Sequence, residues 1–220
     1  MSDGLLALLA EPAPRSAPAL LGATLTGRGV ALRITEVEAY FGPTDPGSHG
    51  YRGMTERNRR LFGPPGTLYA YRSYGIHTCV NVVSAPAGTS SGSLLRGAAV
   101  VEGVDVARTR RGPTVSDVQL ARGPGNLGQA LGAVLVQDDG TSLIDGSGPF
   151  ALTLAPGLEA RLTAAAPATV LDELATDPGI LRTPRTGVAG IAGGAAFPWR
   201  FALRGEPTVS LYRRHQRAVD

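Results

Sequence analysis

Two glutamates and a tyrosine alternate along one stretch of the chain, Glu36-Val37-Glu38-Ala39-Tyr40, and a histidine follows in the next polar segment at His49. The surrounding residues predict a strand over Val30–Tyr40, in which successive side chains lie on opposite faces. One face would carry Ile34, Glu36, Glu38 and Tyr40, and the other Thr35, Val37 and Ala39. A carboxylate at a strand end beside an aromatic ring and a loop histidine is typical of a general base. The alternative is an exposed edge strand with solvated glutamates.

Arginines are concentrated in the polar stretch just after His49, at Arg52, Arg57, Arg59 and Arg60. The planar guanidinium group suits phosphate oxygens, so this stretch is a candidate for binding an anionic partner. A solvated basic loop is the alternative. All 21 positive residues of the chain are arginine, and lysine is absent. The net charge of +3 and the pI near 9.4 are compatible with an anionic partner but do not require one.

The segment Thr67–Val83 is rich in aromatic and β-branched residues and has Tyr74-Gly75 near its middle. This pattern predicts a β-hairpin whose turn lies at Tyr74 and Gly75. A tyrosine at the tip of a hairpin is exposed, and it can stack on a base or enter between base steps. For Tyr69 we favour an ordinary cross-strand contact.

The remaining patterns predict a mixed α/β (α+β) domain with mostly antiparallel strands. Ser93–Glu102 is predicted as a strand carrying Arg96, whose anionic partner could be Glu36, Glu38 or a nucleic-acid phosphate. A helix is expected at 116–122 and a strand at 208–211. Gly123–Gly128 matches G-x-G-x-x-G, but helix is predicted before it and no second βα unit follows. We therefore interpret it as a helix start that receives a phosphate or packs tightly.

Composition limits the other possibilities. A chain of 220 residues with 43% hydrophobic residues suits one domain with a substantial core. It has no apolar run long enough to cross a membrane. Cys79 is the single cysteine, which excludes an internal disulfide and favours a reducing cytoplasm. The three histidines are too scattered for zinc-ligand spacing, and we expect neither a metal nor a cofactor.

Taken together, these motifs resemble the alkyladenine (3-methyladenine) DNA glycosylase family, in the family's order from about residue 20 to the C-terminus. The segments that carry the resemblance are Glu36–Tyr40, Gly42-Pro43, Asp45, His49, Arg57-Asn58-Arg59, Phe62, Pro65–Tyr71, Tyr74-Gly75, Cys79, Asn81, Leu94-Leu95-Arg96, Gly123-Pro124-Gly125 with Leu127, and Pro198–Phe201. The resemblance implies a single α+β domain with a curved antiparallel sheet, flanking helices and a protruding hairpin that intercalates in DNA. It also implies hydrolysis of the N-glycosidic bond of damaged purines such as 3-methyladenine and hypoxanthine.

The same resemblance assigns roles to individual positions. Glu38 would activate the water, with Arg96 as the second catalytic-site residue. The flipped base would be held by Tyr40, His49, Tyr71 and Asn81, and Tyr74 would fill the gap left in the duplex. Contacts to the DNA backbone would come from Arg57, Arg59, Arg60 and His77. Two positions depart from the family pattern: His77 stands where a bulkier aromatic is common, and Asn126 where many members have lysine.

The absence of lysine bears on the reaction, because glycosylases that also cut the strand use an amine to form a Schiff base. Only the N-terminal amine remains, so we expect a monofunctional enzyme that leaves an abasic site. We expect one domain over residues 1–220, with 1–17 as a flexible N-terminus, acting as a monomer on damaged double-stranded DNA in the cytoplasm of a prokaryote. The alternatives are a catalytically weak lesion-binding protein and a general nucleic-acid-binding module.

Overall fold

The computed structural model describes residues 3–220, which form seven α-helices and eight β-strands. The strands are β1 (Thr24–Gly27), β2 (Val30–Phe41), β3 (Leu68–Ser73), β4 (His77–Val83), β5 (Ser91–Glu102), β6 (Phe150–Thr153), β7 (Ile180–Thr183) and β8 (Arg200–Leu203). The helices are α1 (Asp3–Leu9), α2 (Ala13–Ser16), α3 (Val104–Arg111), α4 (Pro124–Leu131), α5 (Leu135–Asp138), α6 (Pro156–Ala164) and α7 (Pro167–Thr176). Short 3-10 turns occur at 17–20, 42–44, 59–62, 117–119 and 191–193.

All eight strands belong to one antiparallel sheet, which confirms the predicted α+β class. Its main path runs β3-β4-β5-β2-β1-β6, and β8 pairs with both β2 and β7. Strand β2 is the centre of this arrangement, because β5 follows most of its length on one side. On the other side β1 pairs with its first residues and β8 with Glu36–Glu38. The predicted acidic segment is therefore a central strand and not a solvated edge.

The hydrophobic core lies between the sheet and the helices. It combines alternate residues of β1, β2 and β6, such as Leu25, Leu32 and Leu152, with the apolar faces of α1, α4 and α7. Burial of the α7 face at Val170, Leu171 and Leu174 follows the helical spacing of those residues. The core thus anchors one face of β2 as far as Ala39 and leaves Glu36, Glu38 and Tyr40 on the other face for the site.

A β-bulge interrupts the alternation of β2 at the acidic segment. Ile34 pairs with Ala98, Glu36 with Gly97 and Val37 with Leu95, so Thr35 and Arg96 are each an extra residue in their strands. Leu32, Ile34, Val37 and Ala39 all face the core. The predicted placement of Ile34 beside Glu36 and Glu38 was therefore wrong, because the bulge exchanges the two faces between Ile34 and Glu36. Thr35 instead hydrogen bonds to Thr208 in the C-terminal segment.

The predicted hairpin is confirmed as β3 and β4, paired from Leu68–Val82 to Ser73–His77. Tyr74 and Gly75 both have a positive φ, at 49° and 73°. Three residues, Tyr74–Ile76, connect the paired Ser73 and His77, and glycine adopts a positive φ without strain. The turn leaves the side chain of Tyr74 94% exposed at the tip.

Two predicted elements differ from the structure. Residues 116–122, predicted as a helix, contain only one 3-10 turn at Asp117–Gln119. Residues 208–211, predicted as a strand, join no strand of the described residues. The backbone of Ser210 donates to Glu36, and the Val209 carbonyl accepts from Arg122. These side-chain partners replace the strand partner that an extended segment would otherwise need.

The N-terminal residues pack onto the core. Of the segment 1–17, for which we expected a flexible N-terminus, residues 3–17 form α1, α2 and the start of a 3-10 turn, with Leu8 and Leu9 buried. Residues 1 and 2 lie outside the described residues. Within residues 3–220, no helix is both long and apolar enough to cross a membrane.

The G-x-G-x-x-G segment opens α4, which packs against β4, and its last glycine marks the closest approach. A Cβ on Gly128 would lie 1.9 Å from the carbonyl oxygen of Thr78. Of the two interpretations given to this segment, tight packing is the one that this contact supports.

We therefore expect Gly128→Ala to lower the free energy of unfolding by about 1–3 kcal/mol, because α4 must shift away from β4. Urea unfolding followed by circular dichroism measures this. Gly157→Ala on α6 is the matched control, since no atom lies within 4 Å of its Cβ position. That change should be neutral or stabilising by up to ~1 kcal/mol. Equal effects of the two changes would contradict the packing argument.

Candidate active site

Glu38 lies near the end of β2 with its side chain fully buried. Its Oε1 accepts a hydrogen bond from the backbone N–H of Thr186 at 2.6 Å. Its Oε2 accepts from the Tyr40 hydroxyl at 3.0 Å and from Arg96 Nη1 at 3.4 Å. A carboxylate offers about four lone-pair positions. Three are used, so Glu38 keeps room for one more donor, such as water.

Glu36 is also fully buried, but its carboxylate is more heavily engaged. Oε1 accepts from Arg96 Nε at 3.1 Å, Arg200 Nε at 2.7 Å and Ser210 Oγ at 2.9 Å, and Oε2 accepts from the Ser210 backbone at 2.7 Å. Burial by itself raises the pKa of Glu36, but Arg96, Arg200 and the Ser210 hydrogen bonds together bring it below the usual 4.5. Glu36 is thus an anion held in place by its partners, as expected of a structural residue.

Arg96 joins the two carboxylates. It is the extra residue of β5 at the bulge, and its guanidinium reaches both Glu36 and Glu38. Burial alone lowers the pKa of Arg96, but the charges of Glu38 and Glu36 raise it above its usual value. The partner left open among Glu36, Glu38 and a phosphate is therefore the pair of glutamates.

Tyr40, which donates to Glu38, also lines a cavity of about 90 Å³. It is lined by Tyr40, Gly47, His49, Leu61, Tyr69, Tyr71, Asn81, Gly92 and Val188. All four residues expected to hold a base (Tyr40, His49, Tyr71 and Asn81) are among them. The lining is mainly aromatic and apolar with few polar groups, as in sites that bind small organic molecules. A flat aromatic ligand suits such a cavity.

The aromatic wall of the cavity is held by contacts among its own side chains. The His49 ring lies edge-on to Tyr71, with 4.7 Å between centroids, and His49 Nδ1 is 2.9 Å from the Tyr69 hydroxyl. One side of His49 reaches solvent, yet the packing removes enough water to lower its pKa below 6.5, and the charge of Arg57 lowers it further. His49 is therefore neutral at pH 7. Burial raises the pKa of Tyr69 to about 12, so its hydroxyl stays protonated.

A buried ion pair supports Tyr40. Arg185 and Asp45 are both fully buried and share two hydrogen bonds of 2.5 and 2.6 Å. The Arg185 guanidinium lies 4.4 Å from the centre of the Tyr40 ring and also donates to the Ala39 carbonyl. Burial, and next the charge of Glu38, raises the pKa of Tyr40 well above its usual value. The Tyr40 hydroxyl therefore remains a donor to Glu38.

The residues expected to contact DNA lie outside the cavity, in three places. Arg57, Arg59 and Arg60 line a groove together with Arg72, and this groove begins at Tyr71 of the cavity wall. Tyr74 stands at the exposed hairpin tip. The structure does not bring His77 to the arginine groove, since its ring packs beside Gly125 at the start of α4.

Asn126, where the resemblance implied lysine, uses its side chain within the protein. Its amide donates to the carbonyl of Arg122, four residues earlier, at 2.7 Å. This bond ties the start of α4 to the preceding turn.

Several residues of the site were not found from the sequence. Tyr69 is opposite Asn81 in the hairpin, as expected of a cross-strand contact, but it also lines the cavity. Tyr69 and Tyr71 are two residues apart on a strand, and this spacing indicates that their side chains lie on the same face. Thr186, Val188 and Arg185 lie in the segment between β7 and β8, to which the sequence patterns gave no role. These residues act through backbone and core contacts, which no local sequence pattern predicts.

No group of three or more His, Cys, Asp or Glu side chains in residues 3–220 is placed to hold a metal ion. The site therefore offers a buried carboxylate with one open acceptor position, next to an aromatic cavity. A carboxylate placed in this way can act as a general base on water.

Comparison with known proteins gives one consistent result. A family model described as methylpurine-DNA glycosylase (MPG) matches residues 7–207. A relative from Leifsonia xyli subsp. xyli (strain CTCB07), named as a candidate 3-methyladenine DNA glycosylase, is 49% identical, covering 97% of this chain and 92% of its own length. Relatives with the same name from Nocardia farcinica (strain IFM 10152) and Mycobacterium tuberculosis (strain ATCC 25177 / H37Ra) are each 46% identical. They cover 96% and 90% of this chain, and 92% and 89% of their own lengths.

The Glu36 site makes stability depend on pH. Because its pKa is lowered by folding, ionised Glu36 stabilises the protein above the unfolded-state pKa, and this contribution is lost as pH falls through the lower folded-state value. We expect Glu36→Gln to reduce the free energy of unfolding by about 3 kcal/mol at pH 7, and by less below pH ~4. Urea unfolding from pH 7 to pH 3 measures the difference.

Glu173→Gln is the control for Glu36→Gln, because Glu173 forms an exposed ion pair with Arg161. That change should cost less than ~1 kcal/mol. A Glu36→Gln difference that stays constant down to pH 3 would show that Glu36 is not a buried anion.

Proposed function

The chain belongs to the methylpurine-DNA glycosylase family, and on that premise we propose that Glu38 activates a water molecule to release damaged purines from DNA. As a member of this family it is a monofunctional DNA glycosylase. The sequence agrees, because lysine, the usual amine of glycosylases that also cut the strand, is absent. The observation that carries the proposal is a buried carboxylate with one open acceptor position beside an aromatic cavity.

The proposed reaction is hydrolysis. Glu38 takes a proton from water as the water oxygen forms a bond to C1′ of the nucleotide. The N-glycosidic bond breaks, and its electron pair leaves with the purine. The sugar passes through an oxocarbenium-like state, which the negative charge of Glu38 stabilises. The product is an abasic site.

The substrate class follows from the leaving group. A purine that is already cationic, such as 3-methyladenine, leaves without further protonation. A neutral base such as hypoxanthine needs a proton from water or from another acid. We propose that both are excised, with cationic alkylated purines needing less help from the enzyme.

The cavity supports recognition of a base that has left the helix. Tyr40, His49 and Tyr71 supply aromatic surfaces on which a purine stacks, an interaction of about 1–3 kcal/mol per base. The amide of Asn81 donates to the Tyr69 carbonyl, which fixes the side chain in the cavity wall. We propose that this fixed amide crowds the 2-amino group of undamaged guanine.

Contacts with the duplex complete the proposal. The exposed ring of Tyr74 fills the gap that the flipped nucleotide leaves, and Arg57, Arg59 and Arg60 bind backbone phosphates. His77 contacts the backbone from its separate place beside α4. We further propose that the protein acts as a monomer in the bacterial cytoplasm, where its DNA substrate lies.

Replacing Glu38 tests the mechanism. We expect Glu38→Gln to lower the single-turnover rate of base release about a hundredfold to ten-thousandfold, because the water loses its base. Binding to a lesion-bearing duplex should change little. The assay measures free base released from duplexes containing hypoxanthine or an alkylated purine.

Glu102→Gln serves as the control for Glu38→Gln, since Glu102 is an exposed glutamate at the end of β5. It should excise at the wild-type rate. Full excision by Glu38→Gln would show the mechanism to be wrong. A wild-type protein that binds lesions but releases no base would instead be a lesion-binding protein.

Replacing Tyr74 tests the role of the hairpin tip. We expect Tyr74→Ala to slow excision from paired duplex by roughly tenfold or more, through loss of a stacking ring, and to slow excision from single strands much less. Tyr74→Phe keeps the ring and should retain the duplex activity. Because the side chain is exposed, neither change should alter the fold. Equal losses on single and double strands would argue against insertion into the duplex.

A further inference from the structure

The C-terminal segment 208–220 lies beyond the residues that the family model matches, yet it runs along the candidate active site. At its start, Ser210 binds Glu36 through both its backbone and its hydroxyl. Next, the Tyr212 ring lies 5.3 Å from the guanidinium of Arg200, which also binds Glu36. The segment is therefore fixed beside the two buried carboxylates.

The end of the same segment is fixed to the loop that holds Glu38. The backbone of Gly190 donates to the Arg217 carbonyl at 2.7 Å and accepts from Val219 at 3.0 Å. The Ala195 backbone donates to Asp220 at 2.8 Å. These bonds hold the residues between Tyr212 and Arg217 beside Thr186 and Gly187.

Four basic side chains are gathered there, and we name them the C-terminal basic patch: Arg213, Arg214, His215 and Arg217. Together with Thr186 and Gly187 they line one open depression. Arg214 pairs with Asp220. Arg213 and Arg217 are exposed, and neither forms an ion pair with any residue in the described part of the chain. The positive charges of Arg213 and Arg217 are therefore not neutralised by an acidic side chain of the described residues.

The C-terminal basic patch lies close to Glu38, and this position indicates which ligand the patch would bind. Thr186 lines the same depression and donates its backbone N–H to Glu38 at 2.6 Å. The phosphates of a nucleotide whose C1′ lies at Glu38 are only a few bonds from that carbon. Any DNA strand that enters the site must therefore pass close to this depression with its charged backbone.

We propose that the C-terminal basic patch binds DNA backbone phosphates next to the flipped nucleotide, through Arg213 and Arg217. This inference rests on the proposed function and adds a second anion-binding surface, separate from the groove of Arg57, Arg59 and Arg60. The groove includes Tyr71 of the cavity wall, and the patch includes Thr186, which binds Glu38, so the two surfaces adjoin the site through different elements. A strand held at both places would be fixed on either side of the nucleotide to be excised.

The experiment measures binding of a duplex that carries a tetrahydrofuran abasic-site analogue, over about 50 to 200 mM salt. We expect the Arg213→Ala/Arg217→Ala variant to bind at least about tenfold more weakly at the low end of this range. The slope of log K against log salt should decrease by about 2, roughly one for each phosphate that the variant no longer binds. Arg213→Lys/Arg217→Lys should restore most of the slope, because lysine also binds phosphate as a point charge.

A matched control separates a local contact from the overall charge of the protein. Arg15→Ala/Arg161→Ala removes two exposed arginines that pair with Asp172 and Glu173 near α7, so it makes the same change in net charge. Its salt slope should equal that of the wild type. If the patch variant behaves like this control, or like the wild type, the proposal is overturned.

Base release distinguishes this inference from the proposed function. A wild-type protein that releases no base from damaged duplex contradicts the proposed function, whatever the salt slope. Base release by the wild type together with an unchanged slope in the patch variant contradicts the patch alone. A slower single-turnover rate at saturating DNA with unchanged affinity would also overturn it, since the arginines would then act on the Glu38 loop and not on phosphate.

Discussion

Glu36 and Glu38 place two carboxylates in the protein interior, and most of the site follows from the need to compensate their charge. A buried charge without partners is strongly unfavourable. Compensation comes from Arg96 and Arg200, and from N–H groups of Thr186 and Ser210. These partners belong to β5, β8, the loop after β7 and the C-terminal segment. The two carboxylates of β2 thus connect β5 with three parts of the C-terminal region, at Thr186, Arg200 and Ser210.

Glu36 and Glu38 accept different numbers of hydrogen bonds. This difference separates the structural role of Glu36 from the chemical role proposed for Glu38. Glu36 accepts four hydrogen bonds, and its lowered pKa reflects this saturation. Glu38 accepts three and retains a position for water. The bulge between β2 and β5 makes the division possible, because it turns Glu36 and Arg96 out of the regular alternation and toward each other. The rigidity supplied by Glu36 keeps the orientation of Glu38 defined before any substrate binds.

The cavity is prepared in the same way, by contacts behind its walls. The buried Arg185–Asp45 pair packs on Tyr40, and the Tyr69 hydroxyl bonds to His49. Aromatic rings held by their neighbours lose little further freedom when a base stacks on them, which favours binding. Exposed groups, the Tyr74 ring above all, remain available for the proposed contact with the duplex. Rigid support inside and exposed aromatic groups outside agree with the proposed binding of a flipped base.

Local patterns in the sequence determined the α+β class, the β3–β4 hairpin with Tyr74 at its tip, and the shared face of Glu36, Glu38 and Tyr40. Alternation, turn residues and β propensity act over a few residues, so they can be interpreted without the fold. Which carboxylate keeps an open position, and which loop supplies its N–H donor, was decided only by the tertiary structure. Thr186 lies 148 residues from Glu38, and no local pattern records such a pairing, because it arises only when distant segments pack around a buried charge.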